Sequence, residues 1–210
     1  MKVLRIEEAL KKHPGLRLDW KELPYGGLEN PRFGKVERIV IADDEGNPLW
    51  DQYQIDEKIG AIIVPYLETQ DLYVGLIHQV RPVIRDPRTG EQGKYVSIEV
   101  PRGFRLKEEL PEDSAVRELG AETGKVVKKL EYIGRTNPNT AFYCYLGIPT
   151  FAAEVDPYKK SRFRPDATEK ILRSKFYKIN EVKEMIKENK IVCGLSKAAL
   201  LEFFVYKGLI

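Results

Sequence analysis

The chain has little that could staple it together or anchor it. Only 2 of its 210 residues are cysteines, Cys144 and Cys193. Both stand in apolar surroundings, which argues against a disulfide framework or a cysteine metal site and predicts buried free thiols. No run approaches the roughly 18 apolar residues of a membrane span. The opening MKVLRIEEAL lacks the apolar core of a signal peptide, so a cytoplasmic location away from membranes is expected. Charge of one sign is missing too: 35 Lys and Arg against 32 Asp and Glu leave +3. That surplus is too small to argue for a nucleic-acid partner. Internal repeats and low-complexity tracts are absent.

The chain does have enough apolar residues for a sizeable core, at 42% hydrophobic. Residues 6–12 carry a short helical pattern stopped by Pro14, and a Gly- and Pro-rich loop follows through Pro31. Residues 34–56 read as a hairpin around the turn cluster Asp43 to Asn47. Strands are predicted over 60–66, 72–79, 95–100, 126–135, 141–155 and 171–177. A polar loop spans 85–94, a turn falls at Asn137-Pro138-Asn139, and a basic loop spans 156–166. Two helices close the chain, over 180–188 and 196–206. Strands and helices interleave without a βαβ rhythm, which predicts an α+β sandwich with a mixed sheet between helices.

The stretch EVPRGFRLKEELPEDSAVRELGAETGK, residues 99–125, organises the rest. Pro111 suits the first turn of a helix, where its missing N–H is not needed. Gly124 suits the end. Between them, Glu118 and Glu122 stand at i and i+4, on one helical face. Like charges so stacked repel unless a cation sits between them, and oxygen ligands suit a hard divalent ion. Upstream, Gly103 permits a sharp reversal that brings backbone close to a ligand. Taken without that context, two glutamates at this spacing are simply a solvated acidic face.

In register, Gly103, Glu109, Arg117, Glu118, Leu119, Glu122 and Gly124 resemble the box of the Nudix hydrolases. The chain departs from that pattern twice, with Ala121 for the first Glu of a Glu-Glu pair and Lys125 for a final apolar residue. Residues 60–65, His78-Gln79-Val80-Arg81-Pro82 and Glu99-Val100-Pro101 resemble the ADP-ribose pyrophosphatase subgroup. The resemblance implies a Nudix-type α/β/α sandwich over 58–210. It implies a small N-terminal β element within 1–57 that pairs two chains as a homodimer. It also implies Mg²⁺- or Mn²⁺-dependent hydrolysis of a nucleoside diphosphate linked to a second moiety, ADP-ribose or a nucleotide sugar. A non-catalytic nucleotide sensor and a dinucleotide hydrolase are the alternatives.

By the same resemblance, Glu118 and Glu122 ligate metal, with a backbone carbonyl at Arg102 or Gly103. Glu169, or else Asp166, supplies a further carboxylate, sometimes the general base, or is simply a solvated loop carboxylate. Glu109 and Arg117 orient the box; an arginine fork can hold two carboxylates. Arg81 reads as a clamp on the diphosphate or a surface arginine. Glu99 reads as a metal or ribose-side carboxylate, or as half of a structural ion pair. Trp50 and Tyr53 read as base-stacking aromatics or as strand packing. The subgroup usually carries Pro-Gly about 15 residues past the box; here Pro138-Asn139 comes earlier, which counts against ADP-ribose in particular and not against the reaction class.

Overall fold

A computed structural model describes residues 21–22, 28–30, 33–42, 44, 48–85, 88–92, 95–166 and 169–210. The helical pattern at 6–12 and most of the 43–47 turn cluster lie outside these residues. The described chain divides into two compact units, one of residues 60–136 and 148–210, the other of residues up to 59 together with 137–147.

The smaller unit is an antiparallel sheet in the order β1 (Lys21–Glu22), β2 (Leu28–Asn30), β3 (Gly34–Ala42) and β4 (Pro48–Glu57). The β3–β4 hairpin runs in register from Gly34 opposite Glu57 to Ile41 opposite Trp50. Residues 139–145 add to its last strand: Ile55 N–H donates to the Phe142 carbonyl at 2.7 Å and Cys144 N–H to the Ile55 carbonyl at 3.3 Å. The strand predicted to begin at residue 141 therefore does not. Asn137 Oδ1 accepts from Asn139 N–H and Asn139 Oδ1 from Ala141 N–H, both at 2.9 Å. Such Asn side chains fold the backbone into turns that compete with a ladder. Both cysteines are free, as expected, but Cys144 is exposed and Cys193 half-buried, because neither lies inside an element that packs on both sides.

The larger unit is a seven-stranded sheet in the order β11 (Ile171–Lys178), β6 (Leu72–Val80), β5 (Gly60–Glu68), β10 (Ile148–Lys160) and β9 (Lys125–Thr136). β7 (Val96–Glu99) pairs with β6, and β8 (Arg102–Phe104) with β5. β5 and β10 run parallel and the other pairs antiparallel, so the sheet is mixed, as predicted. β5 is buried from Gly60 to Tyr66, which is why it reads as an unbroken apolar run rather than an alternating one.

On one face, Ala61 and Ile63 of β5 and Phe151, Ala153 and Val155 of β10 meet Ala115 and Leu119 of helix α1 (Pro111–Thr123). The next residues in β5 point the other way, where Tyr66 meets Phe203 of the last helix with ring centroids 5.4 Å apart. That face is closed by α2 (Ile179–Lys187) and α3 (Gly194–Tyr206). The result is the expected α/β/α sandwich. At roughly 25 cal/mol per Å² of apolar area, burying one such Leu or Phe contributes about 1.5–3 kcal/mol, so this core fixes α1 against the sheet. α1 starts at Pro111 and stops at Gly124, whose left-handed φ of 70° lets its N–H reach the Gly120 carbonyl.

Candidate active site

The helical repeat turns Glu118 and Glu122 to one side of α1, and both are buried. Each carboxylate is tied down separately. Arg117 Nη1 donates to Glu118 Oε1 at 2.6 Å. The backbone N–H of Arg102 donates to Glu122 Oε2 at 3.1 Å. The approach needs glycine: a Cβ at position 103 would lie 2.1 Å from Cδ of Glu118. β8 is itself held against β5 by a second glycine, since a Cβ on Gly60 would lie 1.6 Å from the Gly103 carbonyl oxygen. Sequence reasoning gave Arg102 and Gly103 a carbonyl role; the structure shows the Arg102 N–H gripping Glu122 and the Gly103 carbonyl facing Gly60.

Arg117 and Glu109 form the frame. Arg117 Nε and Nη2 donate to the two Glu109 oxygens at 2.8 and 2.9 Å, and Nη2 also reaches the Phe104 carbonyl at 2.8 Å. Glu109 Oε2 further accepts from Leu106 N–H at 2.8 Å. One guanidinium thus joins the 104–109 loop to Glu118. The hydrogen bond from Arg117 holds Glu109 below the usual carboxylate range despite partial burial.

The acidic pair is electrostatically unhappy. Burial pushes Glu122 well above the usual carboxylate range, and the charges of Glu169 and Glu118 push it further. Burial also raises Glu118; Arg117 opposes this, and Glu169 and Asp166 add to it. The loop before β11 therefore brings its carboxylates within electrostatic reach of α1. Asp166 N–H donates to Glu169 Oε2 at 3.2 Å, closing that loop on itself. As the side chains stand, no three metal-ligating groups converge on one point among the described residues. The site thus gathers Glu118 and Glu122 on one side of α1, with the charges of Glu169 and Asp166 within reach of them. An all-oxygen donor set of this sort suits a hard divalent cation.

Arg81, one residue past the end of β6, and Glu99, the last residue of β7, lie beside this centre. Arg81 Nε donates to Glu99 Oε1 at 2.9 Å, and its Nη2 meets Oε2. Burial alone would push Glu99 up; the Arg81 fork brings it below its ordinary value. Glu99 is thus half of a buried ion pair, with Arg102 Nε a further 3.9 Å from its Oε2. Arg81 is within electrostatic range of Glu122 as well. Trp50 and Tyr53 belong to the smaller unit, exposed and on opposite faces of β4, with Trp50 Nε1 donating to Gln52 Oε1 at 3.3 Å. Position 121, alanine, is half-buried on α1.

Two contributors escaped the sequence reading. In the sequence, Gly60 is only the start of a predicted strand. Ser196, fully buried in the first turn of α3, accepts from Val100 N–H at 3.2 Å and so steadies the peptide between Glu99 and Arg102. The only signal for it was a serine near a helix start, which more often caps its own helix.

A family model for the NUDIX domain matches residues 58–192. A comparison with curated protein sequences finds no match. Among solved structures, one described as an ADP compounds hydrolase is 14% identical at a TM-score of 0.59, covering 91% of this chain and 94% of that one. A NUDIX hydrolase from Nitrosomonas europaea is 20% identical at a TM-score of 0.50, covering 71% of this chain and 91% of that one.

Proposed function

The chain belongs to the Nudix family of pyrophosphohydrolases, and on that premise we propose that it hydrolyses the diphosphate of a nucleoside diphosphate linked to a second moiety, ADP-ribose or a nucleotide sugar. The observation that carries this reading is the buried, mutually repelling pair Glu118 and Glu122, faced by Asp166 and Glu169. Carboxylates within electrostatic reach of one another would hold Mg²⁺ or Mn²⁺ once their side chains turn to a common point. A bound divalent ion neutralises phosphoryl oxygens and acidifies water.

The chain's own residues do the rest. Arg117 fixes Glu118 and the Arg102 N–H fixes Glu122, so both keep their aim while a charged substrate enters. Arg81, positioned by Glu99, meets the diphosphate with the N–H groups that Glu99 does not take. Glu169, or Asp166 beside it, accepts a proton from the attacking water at a carboxylate oxygen. The water oxygen bonds to one phosphorus, the bridging P–O bond breaks, and a nucleoside monophosphate and a phosphorylated remainder leave. One of the solved structures with this fold is described as acting on ADP compounds, which favours an adenosine diphosphate half. We also propose that residues 32–57 pair two chains as a homodimer, that Trp50 on one face of β4 or Tyr53 on the other stacks on the base there, and that the protein works in the cytoplasm.

Ala121 favours a second reading, a nucleotide sensor that binds without turnover. A hydrolysis screen over ADP-ribose, nucleotide sugars and dinucleotides, with Mg²⁺ or Mn²⁺ and with EDTA, separates the two. Metal-dependent release of a nucleoside monophosphate, lost in Glu122→Gln, is the expected result. Binding of the same compounds with no turnover under any metal would make the protein a sensor.

A further inference from the structure

The basic stretch between β10 and the acidic loop has no part in the site described so far. β10 ends with Lys160 directly opposite Lys125, and like charges so placed in a ladder are destabilising. Lys125 is also where the family pattern calls for an apolar residue. Among the described residues, its Nζ bonds the neutral Pro157 carbonyl alone, at 2.8 Å. A cation near the end of a helix is favoured by the helix dipole, which accounts for one lysine and not for a group.

The chain beyond Lys160 is pinned to the last turn of α1. Ser161 N–H donates to the Gly124 carbonyl at 2.9 Å. Ser161 Oγ and Phe163 Cδ2 lie 2.4 and 2.9 Å from where a Cβ on Gly120 would be. Ser161 Oγ also accepts from Phe163 N–H at 3.1 Å. Glycine at 120 lets both side chains seat as they stand. The anchored residues alternate with exposed arginines, Arg162 and Arg164. Arg162 lies over the Phe163 ring at 5.5 Å. Among the described residues, neither arginine nor Lys160 has a carboxylate partner. Nor is any of them bonded to Glu118, whose side-chain cation is Arg117. Yet Arg164 stands two residues before Asp166, a span of at most about 7 Å of chain. Lys125 stands three residues after Glu122.

We propose that Lys125, Lys160, Arg162 and Arg164 form an anion subsite for a phosphomonoester that the substrate carries in addition to its diphosphate. The inference rests on the reading above of a diphosphate bound at Glu118 and Glu122. The substrate class becomes a nucleoside diphosphate compound with a further phosphate, of which ADP-ribose 2′-phosphate is the simplest probe. Two side chains and a glycine fix the backbone here, and the guanidinium forks match phosphate oxygens bidentately.

The test compares ADP-ribose with ADP-ribose 2′-phosphate on the wild type and on the Arg162→Ala/Arg164→Ala variant. Both arginines are exposed, so the variant keeps its fold. The readouts are kcat/KM with Mg²⁺ and, separately, the Kd of each compound in EDTA, where no turnover intervenes. The wild type should favour the 2′-phosphate about tenfold or more, through KM, as charge-assisted contacts to one phosphate allow. The variant should bring the ratio to about one while leaving ADP-ribose unchanged. A wild-type ratio near one, or a preference that survives the double substitution, overturns the subsite. If neither compound is turned over but the Kd ratio follows the expected pattern, the hydrolase reading fails and the subsite stands. Equal turnover of both compounds leaves the hydrolase reading in place and removes the subsite.

Discussion

Replacing Glu122 by glutamine should make the metal-free protein more stable, not less. Glu122 is 5% exposed, and its ionised form is opposed by burial, by Glu169 and by Glu118. Side chains at i and i+4 start about 5–6 Å apart at Cβ. Two unit charges about 7 Å apart repel by about 2 kcal/mol at an effective dielectric of about 20. Glutamine keeps the shape and can keep the hydrogen bond from Arg102 N–H. It gives up some attraction to Arg81, so the net gain should be about 1–2 kcal/mol. At about 2–4 °C per kcal/mol for a chain of this size, Tm in EDTA at pH 7.5 should rise by about 2–8 °C.

The pH dependence of that gain has a definite sign. The Glu122 pKa is raised in the folded state, so the protonated folded form is favoured and wild-type stability falls as pH rises through that raised value. Below the unfolded value of about 4.3 the carboxyl is neutral in both states, and the difference between wild type and variant should vanish. Divalent metal should reverse the order at neutral pH. A ligand at 100 times its Kd stabilises by about 2.7 kcal/mol, which the wild type gains and the variant does not. Differential scanning fluorimetry across pH, with EDTA and with Mg²⁺, checks all three limbs. A variant less stable than wild type in EDTA at pH 7.5, or one stabilised by Mg²⁺ as much as wild type, would refute the account of this carboxylate.

Gly103→Ala should drive Glu118 from its place, because the new Cβ would lie 2.1 Å from its Cδ; turnover should fall at least about 100-fold, with overpacking costing about 1–3 kcal/mol, and full activity would show that Glu118 is not needed where it stands. Arg81→Ala leaves Glu99 buried without its fork and should cost about 3–5 kcal/mol, most of it recovered in Arg81→Ala/Glu99→Gln, as urea denaturation would show. Because Glu99 is held below its ordinary value, the wild-type pair's contribution should be lost as pH falls into the acid range, whereas the double variant should lack that loss. Ala121→Glu should lower the Mg²⁺ concentration giving half activity, and an unchanged titration would mean that position 121 does not face the metal. Light scattering should give about twice the 24.2 kDa chain mass, and an active monomer would remove the proposed pairing through residues 32–57.

The acidic helix was legible because its signals are local. Pro111, Gly124 and the i, i+4 glutamates act within one element, and the fold class follows from the order of such elements. The same holds for Arg117 and Glu109, a few residues apart along one loop and helix. Contacts made across strands were not legible. Arg81, one residue past the end of β6, meets Glu99 of β7 through its side chain, which no spacing announces, so Arg81 could be read only as a clamp or a surface arginine. Gly60 matters because β8 lies on β5, again a matter of register. The turn at Asn137-Pro138-Asn139 was legible, but the apolar and aromatic residues from Ala141 onward promised a strand, and the Asn139 side-chain bond to Ala141 N–H carries the turn into them.

The two units share the chain in an interleaved way, with residues 137–147 grouped with the smaller one. No single cut separates them. On a ribosome, the smaller unit stays incomplete until α1 and β9 have emerged, because Ile55 must wait for Phe142 and Cys144. Its sequence cannot be swapped for that of a relative as one block, since an exchange ending at residue 59 would leave the host's 137–147 segment to fit a foreign strand. Recombination should therefore be tolerated only when both segments travel together.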